Sequence, residues 1–402
     1  MSKRVLMITH AYYPANYPGS HRPAKFAKFL PKFGWTPVVL TDDWTPENSE
    51  GYYDPVLAAR PDGGEVVRVP YHVPRRRTPA RILGHVATLL WPYRAPLGLT
   101  RDMLRTAEDL VSHQTFDAIW STYSLGLDHS VADHLTRRHG IPWVADFRDL
   151  PDQAFVNWWR RRTVQAEVRV CASARALTAT CQPQVDKLRS RHAAPAYVIP
   201  NGFDPDDYPR AAATRSDKFT INYFGMLYSY RDPRPLFAAL DLLEARGEVA
   251  PADVQVRFYG TDAALVRSLL EGFRCSRLVE CREAVPTEEM YRLQQQSTVL
   301  FLLKSPEAGG SVPTKLFEYM AAARPILNVP GDGDVVDAIL AETQAGLSAA
   351  EPEAIARVLK GWYDEWKRTG WVASTGAPDR IARYSREVQA GQLAEILDSI
   401  TR

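Results

Sequence analysis

Two consecutive α/β units, each built on a parallel sheet, are the fold that the sequence predicts, on three observations. The chain has 402 residues, too many for one ordinary hydrophobic core. Short β-branched runs alternate with one-sided helical segments, which is the pattern of βαβ units. The series halts in a polar, aperiodic stretch, RAAATRSDK, and then starts again.

VLMIT (5–9) and TPVVLT (36–41) are the first two strands expected. Between them, RPAKFAKFLPKFG places Phe26, Phe29, Leu30 and Phe33 at i, i+3, i+4 and i+7, a one-sided helix closed by Gly34. EVVRVP, DAIWST, PWVADF, ALTATC and AYVIP continue the strands, with amphipathic helices around 100–113 and 127–139. Beyond the junction come FTINYFG, VQVRFYG, LVECREA, VLFLL and PILNVP, separated by helices near 234–245, 262–271 and 287–295. The expected division is therefore 1–205, 206–385 and a closing helix, 386–402, packing back toward the first unit.

Composition narrows the class. Apolar residues at 45% and charged residues at 24% belong to a soluble globular protein. Lys plus Arg is 49 against 47 Asp plus Glu, a net charge of +2, which is no nucleic-acid signature. Cys171, Cys181, Cys275 and Cys281 form no CxxC and no Cys/His ligand set, so they read as thiols in a reducing compartment. MSKRVLMITHAYYP is too short for a signal peptide and suits a first strand. No run reaches 18 apolar residues, and a cytoplasmic protein is expected.

Parallel sheets bind ligands beyond the C-terminal ends of their strands, so the loops there are the candidates. The first, THAYYPANYPGSHRPAKF, brings Gly19, Ser20, His21 and Arg22 to the mouth of a helix, where anions are favoured. It is neither GxGxxG nor GxxxxGK[ST]. The second, VADFRDLPDQ, crowds Asp146, Arg148 and Asp149 at one strand end, where an Asp146–Arg148 ion pair would be purely structural. In the third, YFGMLYSYRDPRPL, Gly225 ends a strand and Arg231 and Arg234 precede or open a helix. A guanidinium there suits phosphate, unless it pairs with Asp232. The fourth is GGSVPTKLFEYMAAARPIL. Ser311 or Val312 is expected to cap its helix, with Pro313 in the first turn. Lys315 and Glu318 are spaced for a helix pair, yet Glu318 sits in an apolar run where a carboxylate needs donors. A ribose diol supplies two, and Gly309 and Gly310 leave amides able to approach a diphosphate. Together these features indicate a nucleotide-diphosphate site in the second unit.

The ordered set PGSHRPAKFAKFLPKFGWTPVVLT, WVADFRDLP, IPNGFD, YFGMLYSYRDP and PTKLFEYMAAARPIL resembles the family 4 glycosyltransferases of GT-B architecture over nearly the whole chain. The resemblance implies two Rossmann-like domains facing across a cleft. Residues 1–205 would be the acceptor side and 206–385 the nucleotide-sugar donor side, with sugar transfer retaining anomeric configuration. Position by position, Gly19 matches the glycine-rich loop over the donor phosphates, Arg231 the lysine that binds the diphosphate, and Glu318 the ribose-binding glutamate. Three positions depart: Gly310 stands for the first glutamate of the E-x7-E motif, Met226 for an arginine, and Arg148 for the nearest acceptor-side histidine.

The resemblance implies front-face attack assisted by the departing diphosphate, with no side-chain nucleophile and no metal or other cofactor. Arg231 and Lys315 are the expected leaving-group stabilisers, joined by amides near Gly19 and Ser311. Gly19, Ser20, Gly225, Arg231, Ser311, Val312, Lys315 and Glu318 form the expected donor set. Asp149, then His129 or His21, would orient the acceptor hydroxyl beside Arg148. The donor would be a UDP- or GDP-sugar. Arg75, Arg76, Arg77 and Arg81 near Trp91 and Tyr93, and Trp158, Trp159, Arg160 and Arg162, suit either a solvated basic helix with its aromatic residues packed inward or an anionic membrane surface. With the latter goes a lipid-linked acceptor in cell-surface polysaccharide, glycolipid or other glycoconjugate synthesis. A nucleotide-sugar epimerase or a silent nucleotide-sugar-binding homologue are the alternatives, separable by donor hydrolysis or exchange.

Overall fold

The computed structural model describes residues 2–48, 52–60, 63–70, 93, 97–123, 126–150, 158–208, 216–228, 230–304, 310–331 and 333–402. Arg75, Arg76, Arg77, Arg81, Trp91 and Gly309, and the side chain of Trp158, lie outside them. The chain forms two compact units: Met1–Asn201 with Arg386–Arg402, and Gly202–Ser385.

In unit 1 the described strands are β1 (Lys3–Ile8), β2 (Trp35–Asp43), β3 (Glu65–Pro70), β4 (Ala118–Thr122), β5 (Trp143–Phe147), β6 (Ala176–Ala179) and β7 (Ala196–Val198). They form one parallel sheet in the order β3-β2-β1-β4-β5-β6-β7. Its helices are α1 (His21–Phe29), α2 (Pro55–Ala58), α3 (Leu97–His113), α4 (Leu127–His139), α5 (Trp158–Val170) and α6 (Gln182–Arg189). Side chains alternate between the faces of a strand, so β1 feeds two cores. Leu6 and Ile8 pack with Met103 and Ala107 of α3 and Val131 and Leu135 of α4. Val5 and Met7 pack with Phe26 and Phe29 of α1. Burial on both faces is why these strands read as continuous apolar runs.

α1 is shorter than its periodicity predicts. It ends at Phe29, and Leu30–Phe33 form a 3₁₀ turn closed by Gly34 at φ +80°. Pro31 has no N–H for the α-helical bond, so the chain tightens and turns Phe33 outward, leaving it 39% exposed.

Unit 2 holds β8 (Phe219–Phe224), β9 (Val254–Tyr259), β10 (Val279–Arg282), β11 (Val299–Leu303), β12 (Ile326–Val329) and β13 (Gly346–Ser348), parallel in the order β10-β9-β8-β11-β12-β13. The three-residue β13, opening on a glycine, has too little pattern to be visible in sequence. Its helices are α7 (Arg234–Ala245), α8 (Ala263–Leu269), α9 (Thr287–Gln296), α10 (Thr314–Ala321), α11 (Val335–Thr343), α12 (Pro352–Thr369) and α13 (Pro378–Ala382). Leu236, Leu240 and Leu243 of α7 pack with Ile355, Leu359, Tyr363 and Trp366 of α12 over this sheet. The last helix, α14 (Arg386–Ile400), belongs to unit 1. There Ala390, Leu393 and Leu397 join Phe26, Phe29 and Leu30, and Lys3–Asp398 and Lys32–Glu387 ion pairs of 2.7 and 2.8 Å tie its two ends.

Each strand order reverses once, between β1 and β4 in unit 1 and between β8 and β11 in unit 2. At such a point the flanking loops diverge and leave a crevice at the strand C-termini, where ligands of α/β sheets bind.

Candidate functional site

In unit 2 the crevice is flanked by the loop after β8 and by α10. Gly225 follows β8 at φ +94°, and a Cβ there would stand 3.0 Å from Cε and Nζ of Lys315. Glycine thus permits both the left-handed turn and the approach of that side chain. Lys315 Nζ donates to Tyr223 Oη at 3.0 Å and lies 4.1 Å over the Tyr223 ring. Arg231 Nη1 donates to the same hydroxyl at 3.2 Å, which in turn donates to the Met226 carbonyl at 2.9 Å. Two cationic side chains therefore meet on one neutral phenol. Burial first, and then the repulsion of Arg231, push the Lys315 ammonium down to about 7, against the pull of Glu318. Arg231 Nε is buried without a hydrogen-bond partner among the described residues. An anion placed here would relieve both defects.

Arg231 is not engaged by Asp232. Asp232 instead holds Arg234 through contacts of 2.7 to 2.9 Å, and hydrogen bonding by Arg234 lowers its carboxyl pKa despite partial burial. Glu318 is half-buried on α10, three residues beyond Lys315, whose ammonium turns to Tyr223.

The start of α10 differs from expectation. Its first residue is Thr314, Pro313 occupies the cap position with extended backbone, and no side chain caps it, so neither Ser311 nor Val312 does so. Val312 is buried, Ser311 is half-buried, and the Ser311 carbonyl accepts from Lys304 Nζ. The Gly310 amide, at φ +70°, donates to Asp334 Oδ2 at 2.7 Å. That amide is committed inside the protein rather than turned to a diphosphate.

In unit 1, Gly19 lies against Arg148: a Cβ at position 19 would fall 2.5 Å from Arg148 Nη1. The guanidinium rests on glycine backbone and donates from Nη2 to the Tyr123 carbonyl at 3.3 Å. Ser20 is buried with no hydroxyl partner among the described residues, and His21 Nδ1 meets the Tyr13 hydroxyl at 3.1 Å. Asp146 does not pair with Arg148. Its carboxylate accepts two bonds from Arg22 of α1, at 2.7 and 3.0 Å, and one each from Thr122 and Thr178 at 2.8 and 2.6 Å, its neighbours on β4 and β6. Burial alone would raise this carboxyl, but Arg22 and the two hydroxyls outweigh it and hold the pKa below the usual range. Arg22 also donates to the carbonyls of Ile199 and Pro200, so this pair locks α1 to the ends of β4, β5, β6 and β7.

His129 belongs to the core. Its Nδ1 meets Ser121 Oγ at 2.8 Å, its ring packs against Phe147 and Trp143, and burial pushes it down to about 3, leaving it neutral. Asp149 is exposed in the loop beyond β5.

The sequence did not single out a second polar cluster, at the β1–β4 crevice. His10, two residues past β1, contacts Asp42 near the end of β2 through Nδ1, and Trp44 Nε1 donates to the His10 carbonyl at 2.9 Å. Burial opposes protonation of His10, but Asp42 prevails and raises its pKa. Asp128, in the first turn of α4, is fully buried beside the His10 backbone N–H, and among the described residues neither carboxylate oxygen has a partner in good hydrogen-bond geometry. Burial raises it to about 7. The residues concerned lie 32 and 118 positions from His10, so no local spacing could reveal them.

A carboxyl whose pKa rises on folding loses stability as pH climbs from its unfolded value toward about 7, and the penalty is complete above that. Asp128→Asn should therefore stabilise the protein at about pH 8 by about 2–4 kcal/mol and do little at about pH 4. Denaturant titrations at both pH values test this, and an equal effect at both would refute the assignment.

Among the described residues, no group of three or more His, Cys, Asp or Glu side chains could hold a metal ion, and no helix is long and apolar enough to cross a membrane. None of the four cysteines is in a disulfide among the described residues.

Residues 20–202 match the glycosyl transferase 4-like domain. No curated protein sequence matches the chain. Among solved structures, the chain is similar to Alr3699/HepE of Anabaena, crystallised with UDP and glucose, with 15% identity and a TM-score of 0.66, over 99% of this chain and 100% of that one. HepE was also crystallised with UDP-glucose. Sucrose-phosphate synthase of Thermosynechococcus elongatus aligns at 13% identity and a TM-score of 0.63, covering 99% and 98%. WaaG, a glycosyltransferase involved in lipopolysaccharide biosynthesis, aligns at 14% and 0.55, covering 99% and 97%. These likenesses establish the two-sheet GT-B fold.

Proposed function

From a chain that carries a glycosyl transferase 4-like domain on a GT-B fold, we infer a glycosyltransferase that moves a sugar from a nucleotide diphosphate sugar to a hydroxyl acceptor. The observation that carries this is the convergence of Arg231 and Lys315 on Tyr223 Oη, with the Lys315 pKa lowered to about 7 by burial and by Arg231. A diphosphate would supply the counter-charge for both. Its charge grows as the glycosidic bond breaks, so fixed cations there stabilise the transition state more than the ground state. UDP and UDP-glucose in HepE support a uridine diphosphate sugar as donor, with a guanosine diphosphate sugar as the alternative.

Unit 2 is the donor unit in this reading, with Glu318 on the ribose. Unit 1 takes the acceptor, and exposed Asp149 offers its carboxylate to the attacking hydroxyl. Transfer proceeds with retention, in the synthesis of a cell-surface polysaccharide or glycolipid on the cytoplasmic face of a membrane. The exposed Arg160 and Arg162 on α5 support contact with an anionic surface.

Calorimetric titration with UDP and with GDP is the direct test. Glu318→Gln should lose about 1.5–3 kcal/mol of affinity for the nucleotide that binds, as expected for a hydrogen bond to a charged group. Unchanged affinity would remove Glu318 from the ribose, and no binding of either nucleotide by the native protein would refute the function.

The Lys315 pKa adds a second signature. A bound diphosphate favours the ammonium, so the pKa rises on binding and a proton is taken up. Affinity is then highest below about pH 7 and falls as pH rises, by less than tenfold per unit, until the raised pKa is passed. Titrations in buffers of different ionisation enthalpy count the proton. Its absence in the native protein, or its persistence in Lys315→Met, would exclude Lys315 as the group.

A further inference from the structure

The loop after β8 displays Met226, Tyr228 and Tyr230, which are 56, 42 and 50% exposed. Single exposed apolar side chains are commonplace, but three within five residues form a patch. The two tyrosine rings are parallel, 2° apart in plane with centroids 5.3 Å apart. The Arg231 guanidinium stands 5.3 Å from one centroid and 5.9 Å from the other. The patch is joined to the cation pair at both ends: the Met226 carbonyl accepts from Tyr223 Oη, and Arg231 donates to it. It is thus one residue away from the place where the diphosphate is proposed to sit.

Resting on that reading of the donor site, we propose that Tyr228 and Tyr230 form a stacking platform for the pyranose ring of the donor sugar. A nucleotide sugar carries two substituents on its diphosphate. Glu318 on α10 takes the nucleoside, which leaves the sugar to the other element bonded to Tyr223, the Met226–Arg231 loop. A pyranose has a face of C–H groups that packs on an aromatic ring, while its rim hydroxyls stay wet. The exposed side chains of the patch, Met226, Tyr228 and Tyr230, carry no charge, so this subsite selects by shape and apolar contact. The substrate class follows: nucleotide hexoses with an uninterrupted C–H face, in preference to those carrying an acidic group on the ring.

The test compares UDP with UDP-glucose, and GDP with GDP-mannose, by calorimetry on the full-length protein and on Tyr228→Ala/Tyr230→Ala and Tyr228→Phe/Tyr230→Phe. The alanine variant should lose about tenfold in affinity for the nucleotide sugar relative to the free nucleotide diphosphate, and the phenylalanine variant should retain the native ratio. Near-UV circular dichroism and melting verify the fold. Equal losses for nucleotide and nucleotide sugar would place the base, not the sugar, on the rings and overturn the proposal. So would an unchanged ratio in the alanine variant, or a phenylalanine variant as impaired as alanine. Native protein that binds none of the four ligands would overturn the donor-site reading itself, and the platform with it.

Discussion

Arg231→Ala should weaken UDP binding by roughly 10- to 100-fold and lower turnover further, because a charge-assisted bond to the diphosphate strengthens as the leaving group forms. Melting should change little, since the guanidinium lies against exposed tyrosines and the buried Tyr223 hydroxyl keeps its bond from Lys315. The substitution also removes the cation that repels Lys315. The Lys315 pKa should rise, and part of the loss is recovered by a fully charged lysine near neutral pH. Arg231→Ala/Lys315→Ala should therefore lose more than the sum of the single losses, the coupling expected of two groups on one partner. Calorimetry and turnover on the same preparations check this. Native affinity in Arg231→Ala would show that the diphosphate lies elsewhere.

The second large effect is on stability. Arg22→Met removes a guanidinium 1% exposed and leaves Asp146 as a buried carboxylate with two hydroxyl partners. Breaking a buried pair from one side typically costs about 3–5 kcal/mol, because the abandoned charge stays desolvated. The carbonyls of Ile199 and Pro200 lose their donor as well. Unfolding followed by denaturant should report this loss, and Arg22→Met/Asp146→Leu should recover much of it by removing the stranded charge. A single substitution as stable as the native protein would mean that water or another donor replaces Arg22.

The strands and helices were legible because burial on both faces of a parallel sheet writes unbroken apolar runs, and the helices between them keep the 3.6-residue period. FTINYFG and VLFLL needed nothing more. The residues of the proposed donor site stand out in the sequence for another reason. Gly225, Arg231, Lys315 and Glu318 fall in two short segments following neighbouring strands, so their chemistry is visible before their geometry. The partners do not stand out. Asp146 stands beside Arg148 in sequence but alternates onto Arg22, 124 positions away, and Lys315 passes over Glu318 for Tyr223, 92 positions away. His10, Asp42 and Asp128 each look unremarkable within their own elements. Only the parallel register, which sets the ends of β1, β2 and β4 side by side, makes them a cluster. Pairing across a sheet is a long-range fact, whereas periodicity is a local one.

The order of synthesis adds a constraint of its own. α14 fills the α1 face of unit 1 with Ala390, Leu393 and Leu397, yet it leaves the ribosome after all 184 residues of unit 2. Until then Phe26 and Phe29 lack part of their cover while unit 2 already has its whole sequence and closes on itself, with Phe203 bridged to Ser385. The nascent chain therefore carries an apolar seam on its first-made half throughout translation, a surface suited to a chaperone that binds exposed hydrophobic groups. A stop codon anywhere before 386 would make that seam permanent, and proteolysis rather than reduced catalysis would be the fate of the truncated chain.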